Sequence, residues 1–205
     1  MNQLTKASIE KWDKKVQNDP KYGKEQSLIC DIIKRIPQNK DILDIAMKVS
    51  VIDLTNSTQL SHYKSKISLF DIANIILNTE NFDKRVSSGD VSLVTEIARM
   101  CKDFGGKDKG VNLLSFASKY CCYHNVYQYN SDDYSIFDNV VSENLHLYST
   151  KKLPLAKTTP EQWRKNIEYD KFNEYIGLLL DEYGIDSKIE GRRRMFDHFL
   201  WFTNR

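Results

Sequence analysis

The sequence lacks the cysteine spacing, the signal peptide and the long apolar runs that are typical of disulfide-rich or zinc-binding, secreted and membrane-spanning proteins. Its four cysteines show no CxxC spacing, so reduced thiols are expected rather than a disulfide framework or a zinc site. The first residues lack the apolar core that a signal peptide needs. The longest apolar run, Ile176 to Leu180, is far too short to cross a bilayer. We therefore expect a cytoplasmic protein without a membrane partner.

An excess of positive charge is also missing, because the formal net charge is only +2. The chain is not a bulk polycation, and binding to nucleic acid would have to come from a local basic surface. Three stretches supply candidates for such a surface. They are Lys107 and Lys109 in the glycine-rich segment GGKDKG, then Lys151, Lys152 and Lys157, and finally Arg192 to Arg194.

Apolar side chains repeat at helical spacing along most of the chain, and no stretch alternates in the manner of a strand. Helices are predicted over residues 26–36, 41–58, 68–77, 91–104, 139–148, 160–183 and 189–202, after a short amphipathic arm at 1–24. The sequence therefore predicts an all-α protein of about eight helices. A single domain over residues 1–205 is expected. It would have two lobes, and the chain would pass from one lobe to the other near residues 149–160.

The stretch from Leu113 to Asp138 carries the residues best suited to chemistry. Lys119 is predicted to begin a helical segment, where the positive end of the helix favours the neutral, nucleophilic amine. Asp138 follows nineteen residues later, directly before a helical pattern, where an aspartate is typical of an N-cap. An amine facing an ionised carboxylate is a usable catalytic pair.

The same residues resemble a known family. The run Leu113 to Lys119, LLSFASK, is similar to the Leu-Pro-Gly-Val-Gly-Thr-Lys hairpin of the helix-hairpin-helix DNA glycosylases. The spacing to Asp138, together with the apolar pair Ile136 and Phe137, resembles the bacterial 8-oxoguanine DNA glycosylase-like proteins. The resemblance covers about thirty residues, and both hairpin glycines are replaced, by Ser115 and Ala117.

This resemblance implies a fold and a reaction. The fold would be a two-lobed helical bundle, with Lys119 and Asp138 in the cleft between the lobes. The reaction would be excision of a damaged base from DNA, for example an oxidised purine. Lys119 would attack C1′ and form a Schiff base, Asp138 would stabilise the positive charge that develops on the sugar, and strand cleavage by β-elimination would follow.

A flipped base needs an aromatic or apolar pocket, and the DNA backbone needs donors. Candidates for the pocket are Tyr123, His124, Phe137, Trp163 and Trp201. Core packing is the more usual role for two tryptophans at helical spacing with other apolar residues, and capping of a helix C-terminus is an equally ordinary role for His124. By the resemblance, Ser115 and Ala117 would contact phosphate, with Lys107 and Lys109 as further candidates. No cofactor or metal site is expected.

Two other classes of function remain open at this stage. The chain could be a non-catalytic nucleic-acid-binding module that keeps the glycosylase fold. It could also be a protein-interaction component of a repair or phage-defence operon, using its aromatic side chains. Covalent trapping of DNA by borohydride distinguishes an enzyme from both of these.

Overall fold

A computed structural model describes residues 3–56, 58, 60–104 and 111–203. Within these ranges the protein is all-helical and contains no strand, as predicted. The eleven α-helices are α1 (Lys6–Gln17), α2 (Tyr22–Arg35), α3 (Ile42–Asn56), α4 (Leu69–Asn78), α5 (Phe82–Ser87), α6 (Ser92–Phe104), α7 (Leu114–Tyr129), α8 (Asn139–Asn144), α9 (Thr159–Asn166), α10 (Tyr169–Glu182) and α11 (Arg192–Thr203). Short 3₁₀ turns span Leu60–Tyr63 and Leu145–Tyr148.

The predicted number of about eight helices was too low. The N-terminal arm contains a full helix, α1, whose start is fixed by a capping box between Thr5 and Ser8. The segment predicted as one helix over 160–183 is two helices, because Ile167 between them adopts a left-handed conformation with φ of 56°. The short helix α5 carries too few residues for a periodic pattern to show.

Helix α7 is the centre of the fold. Helices α2, α3, α5 and α6 all pack against it. Every residue from Phe116 to Asn125 is buried, so this helix is covered on all sides rather than along one stripe. Lys119 is the sixth residue of α7 and lies in its second turn. The prediction that Lys119 begins a helix was therefore wrong.

The second half of the chain packs around α8 and α11. Helix α8 contacts α9 and α11, and α10 contacts α6, α9 and α11. Helix α1 returns to this group, because it packs extensively on α11 and also on α2. The first and last helices of the described residues thus pack against each other. No helix in the described part of the chain is long and apolar enough to cross a membrane.

Candidate functional site

Lys119 and Asp138 form an ion pair near the middle of the molecule. The Nζ atom of Lys119 lies 3.3 Å from Oδ2 of Asp138, and only 6% and 11% of the two side chains is exposed. Lys119 Nζ also donates a hydrogen bond of 3.3 Å to the carbonyl oxygen of Asn56, the last residue of α3. The amine is therefore held between a carboxylate and the C-terminal end of a helix.

Asp138 is the N-cap of α8, as its sequence position predicts. Its Oδ1 atom accepts a hydrogen bond of 3.1 Å from the amide of Val141. Its Oδ2 atom, besides facing Lys119, accepts one of 3.2 Å from the indole Nε1 of Trp201. Both carboxylate oxygens are thus engaged by donors on different elements.

Local contacts fix the distance between the two residues. The segment from Asn130 to Asp138 has no regular structure and returns alongside α7. Ser118 Oγ accepts a hydrogen bond of 3.0 Å from the amide of Phe137. The Phe137 ring stacks on Phe172 of α10, with centroids 3.8 Å apart. The neighbours of Lys119 and Asp138 in sequence are therefore joined directly, and this brings the pair itself together.

Two cavities meet at the pair. The first lies between α2 and α11 and includes Tyr22, Gln26, Arg194, Asp197 and Phe202 in its lining; we call it the α2–α11 cavity. The second lies between the start of α7 and α9, with Asn112, Ser115, Asn139 and Arg164 in its lining; we call it the α7–α9 cavity. Four residues line both: Asn56, Lys119, Asp138 and Trp201. The ion pair is thus a wall shared by two cavities of different composition.

A second buried ion pair lies next to the first, in the α2–α11 cavity. Arg194 donates to Oδ2 of Asp197 at 2.6 Å, and its guanidinium lies 4.9 Å from the ring centroid of Tyr123. Burial raises the pKa of Asp197 to about 6; the charge of Asp138 acts in the same direction, and Arg194 opposes both. Arg194 also donates to Gln26 on α2 at 2.6 Å. Arg194 therefore connects α11 to Gln26 of α2 and to Tyr123 of α7.

Of the five predicted pocket residues, the structure brings only Trp201 to the ion pair. Tyr123, His124 and Phe137 are fully buried core residues. The hydroxyl of Tyr123 bonds to Oδ1 of Asn56, and burial lowers the pKa of His124 to about 3, so this histidine is neutral. Trp163 packs against Tyr175, and like these three it is not part of either cavity wall.

The predicted phosphate contacts also need correction. Ala117 is fully buried, and its amide donates a hydrogen bond of 2.8 Å to the carbonyl of Leu113, so it offers no donor to phosphate. Ser115 does line the α7–α9 cavity. Because α7 already begins at Leu114, the run resembling a hairpin is helix instead. Lys107 and Lys109 lie outside the described residues.

The basic run at 192–194 was interpreted as a candidate surface, but its side chains are largely enclosed. Arg192 and Arg194 are each 7% exposed. Arg192 pairs with Asp181, and Arg193 bonds to Ser135 and to the carbonyl of Asn173. Arg194, Asp197 and Asn56 are site residues that the sequence analysis missed. The available signal was the Arg194–Asp197 spacing of three, at which oppositely charged side chains on a helix are neighbours.

Comparison with known proteins shows the family to which the chain belongs. Residues 4–132 match the model of the HI_0787_N family, which is described as an N-terminal domain. Lys119 falls inside this range, and Asp138 falls beyond it. A protein of Haemophilus influenzae, described as uncharacterized, is 33% identical to the chain over 167 residues, which is 80% of this chain and 71% of that protein. No solved structure matches the chain.

Proposed function

The chain belongs to the HI_0787_N family, and we propose that it is a DNA glycosylase with AP lyase activity that excises a damaged base, with an oxidised purine as the first candidate. The observation that carries this proposal is the 3.3 Å contact between Lys119 Nζ and Asp138 Oδ2 at a wall shared by two cavities. A nucleophilic amine and a carboxylate within reach of one sugar carbon are the groups that this reaction needs. The proposed fold is a two-lobed bundle of the helix-hairpin-helix glycosylase type, with helix in place of the hairpin at residues 114–119.

The two cavities suit the two parts of a flipped nucleotide. The α2–α11 cavity offers the aromatic rings of Tyr22, Trp201 and Phe202, which suit the faces of a base. The α7–α9 cavity offers Asn112, Ser115 and Arg164, which can donate to a sugar and its phosphates. A nucleotide placed across the shared wall would bring its C1′ atom to Lys119 and Asp138.

The first chemical step breaks the bond between C1′ and the base. The lone pair of the neutral Lys119 amine forms a bond to C1′, and the base leaves with the electron pair of the glycosidic bond. The amine then gives one proton to the departing base. Positive charge that develops on the sugar lies close to the Asp138 carboxylate, which stabilises it.

The second step opens the sugar and cleaves the strand. The nitrogen lone pair expels O4′, which takes a proton from water, and leaves an iminium bond between C1′ and Lys119. This bond makes the C2′ hydrogen acidic. The C2′ proton passes to the hydroxide that remained when O4′ took a proton from water, and a double bond forms between C2′ and C3′. The 3′ phosphate leaves with the electrons of its C3′–O bond, and water then releases Lys119 from the imine. Only the amine in its neutral form can begin this sequence, so Lys119 must first give a proton to water in the cavities.

A non-catalytic nucleic-acid-binding or protein-interaction role is the second candidate. One observation favours it: residues 114–119 form helix, and Ala117 offers no amide to phosphate, so the hairpin contact with DNA that the resemblance implies is altered. In that case the ion pair between Lys119 and Asp138 would hold α7 to α8 without taking part in a reaction.

Borohydride trapping tests the proposal. We expect duplex DNA carrying an abasic site or an oxidised purine to form a covalent adduct with the protein on reduction, and peptide mass spectrometry to locate it on Lys119. Lys119→Gln should form no adduct, since an amide cannot make an imine. Lys171→Gln, at an exposed lysine paired with Glu168, is the matched control and should trap normally.

Two results would count against the enzyme. One is an adduct that persists in Lys119→Gln or maps to another lysine. The other is salt-dependent binding to undamaged duplex with no trapping on any substrate, which would favour the binding module. Mass spectrometry locates the adduct on the natural protein, so this measurement tests the proposal even if Lys119→Gln is poorly folded.

A further inference from the structure

The indole of Trp201 is bonded to the carboxylate of the candidate site. Its Nε1–H donates to Oδ2 of Asp138 at 3.2 Å, the same oxygen that lies 3.3 Å from Lys119 Nζ. Trp201 stands in the last turns of α11, sixty-three positions from Asp138 in sequence. Stacking on a base or packing in the core would use only the ring of Trp201, whereas this hydrogen bond uses its N–H group.

We propose that Trp201 is a positioning residue, whose indole N–H holds Oδ2 of Asp138 in the orientation that meets the Lys119 amine. A carboxylate turns easily about its Cβ–Cγ bond, because this torsion has broad minima. The helix cap to Val141 restrains Oδ1 alone. A second donor on Oδ2 fixes the plane of the group, and precise orientation is what a catalytic carboxylate requires. The effect on rate rests on the proposed function, whereas the contact itself does not.

Neighbouring rings hold the indole in place. Tyr22 of α2 meets Trp201 edge-on, with centroids 5.9 Å apart and planes at 76°. Phe202 lies 5.9 Å from Trp201 and contacts Tyr22 in turn at 5.3 Å. Trp12 of α1 stacks on Phe202 at 6.3 Å. The orientation of Asp138 therefore depends on packing between the two ends of the chain, through α1, α2 and α11.

The contact can be tested without any substrate. The chain has three tryptophans, so three indole N–H signals are expected in a proton–nitrogen NMR spectrum, and Trp201→Phe assigns one of them. In Asp138→Asn the one side-chain oxygen is expected to keep the hydrogen bond from the amide of Val141. The side-chain NH₂ then faces the indole N–H of Trp201. An NH₂ group is a donor only, so the indole loses its acceptor. We expect the Trp201 signal to move upfield in this variant, with those of Trp12 and Trp163 in place. An unchanged Trp201 signal would overturn the proposal.

The kinetic test separates positioning from stacking. Trp201→Phe keeps an aromatic ring and removes the donor, so we expect the single-turnover excision rate to fall roughly tenfold, as for loss of one hydrogen bond to a charged group, with the Kd for DNA unchanged. Trp163→Phe is the matched control and should leave both values unchanged. A raised Kd with an unchanged rate at saturation would make Trp201 a stacking surface and overturn the proposal.

Two further measures keep the outcome clear. If Trp201→Phe is poorly folded, benzothienylalanine at position 201 keeps the shape of the indole and replaces only its N–H with sulfur, and the same loss of rate is expected. If the natural protein excises nothing, the proposed function fails, and the NMR comparison still decides whether Trp201 holds Asp138.

Discussion

Asp13 and His198 are 185 positions apart in sequence, yet Nδ1 of His198 lies 2.7 Å from Oδ1 of Asp13. This contact joins α1 to α11, directly beside the α2–α11 cavity. Burial, with the nearby Arg194 charge, lowers the pKa of His198 to about 4, although the bond to Asp13 acts in the opposite direction. His198 is therefore neutral near pH 7, and its Nδ1–H donates to the carboxylate.

Removing the acceptor should destabilise the protein. Asp13→Ala leaves the buried Nδ1–H of His198 without its partner, which costs about 1–3 kcal/mol of unfolding free energy. Asp13→Asn keeps an oxygen that can accept the same bond and should cost much less. Urea unfolding at pH 7 measures both, and equal losses in the two variants would show that the hydrogen bond contributes little.

The buried His124 should make the protein sensitive to acid. Its pKa is lowered to about 3, first by burial and then by the Lys48 charge, against an ordinary value of 6.5. The unfolded chain takes up the proton first as the pH falls, so this contribution to stability is complete above pH 6.5 and is lost progressively towards pH 3. His124→Leu should reduce the dependence of unfolding free energy on pH in this window.

The measurement is urea unfolding at several pH values between 7 and 4. In this pH range the natural protein should take up one more proton on unfolding than His124→Leu does. This difference does not depend on how the substitution changes stability at pH 7. Asp197 and Asp132, whose pKa values are both raised to about 6, act with the opposite sign in part of this range. They are present in both proteins and therefore cancel in the comparison. An identical slope in the two proteins would mean that His124 does not contribute.

Asp138→Asn tests the carboxylate in the proposed reaction. Loss of its negative charge should slow base excision by about 10²–10⁴, as is usual for one catalytic group, while DNA binding is preserved. Asparagine caps a helix about as well as aspartate, so α8 should stay intact, whereas loss of the ion pair with the buried Lys119 should lower the melting temperature. Single-turnover excision assays on an oxidised-purine duplex measure the rate. A normal rate would show that the Asp138 carboxylate has only structural roles, as a helix cap and as the partner of Lys119.

The sequence by itself determined the fold class and several helix ends. Helical periodicity predicts α4, and Ser68 is its N-cap, with an Oγ that accepts from the amide of Asp71. Asp138, which its position predicts as an N-cap, accepts a hydrogen bond from the amide of Val141. These features depend on residues within one or two turns of each other, so a local pattern is enough to predict them.

Tertiary structure alone decided which residues meet at the site. Trp163 and Trp201 both stand among apolar residues on helices, and only the packing of α11 against α8 brings Trp201 to Asp138. Lys119 donates to the carbonyl of Asn56, sixty-three positions away in sequence. A pattern of side chains cannot predict an acceptor that belongs to the backbone. Helix α7 is buried on every side, so its periodicity carries no information about the direction of Lys119. Contacts between distant segments arise only when the helices pack together. Patterns within one or two helical turns therefore cannot predict them.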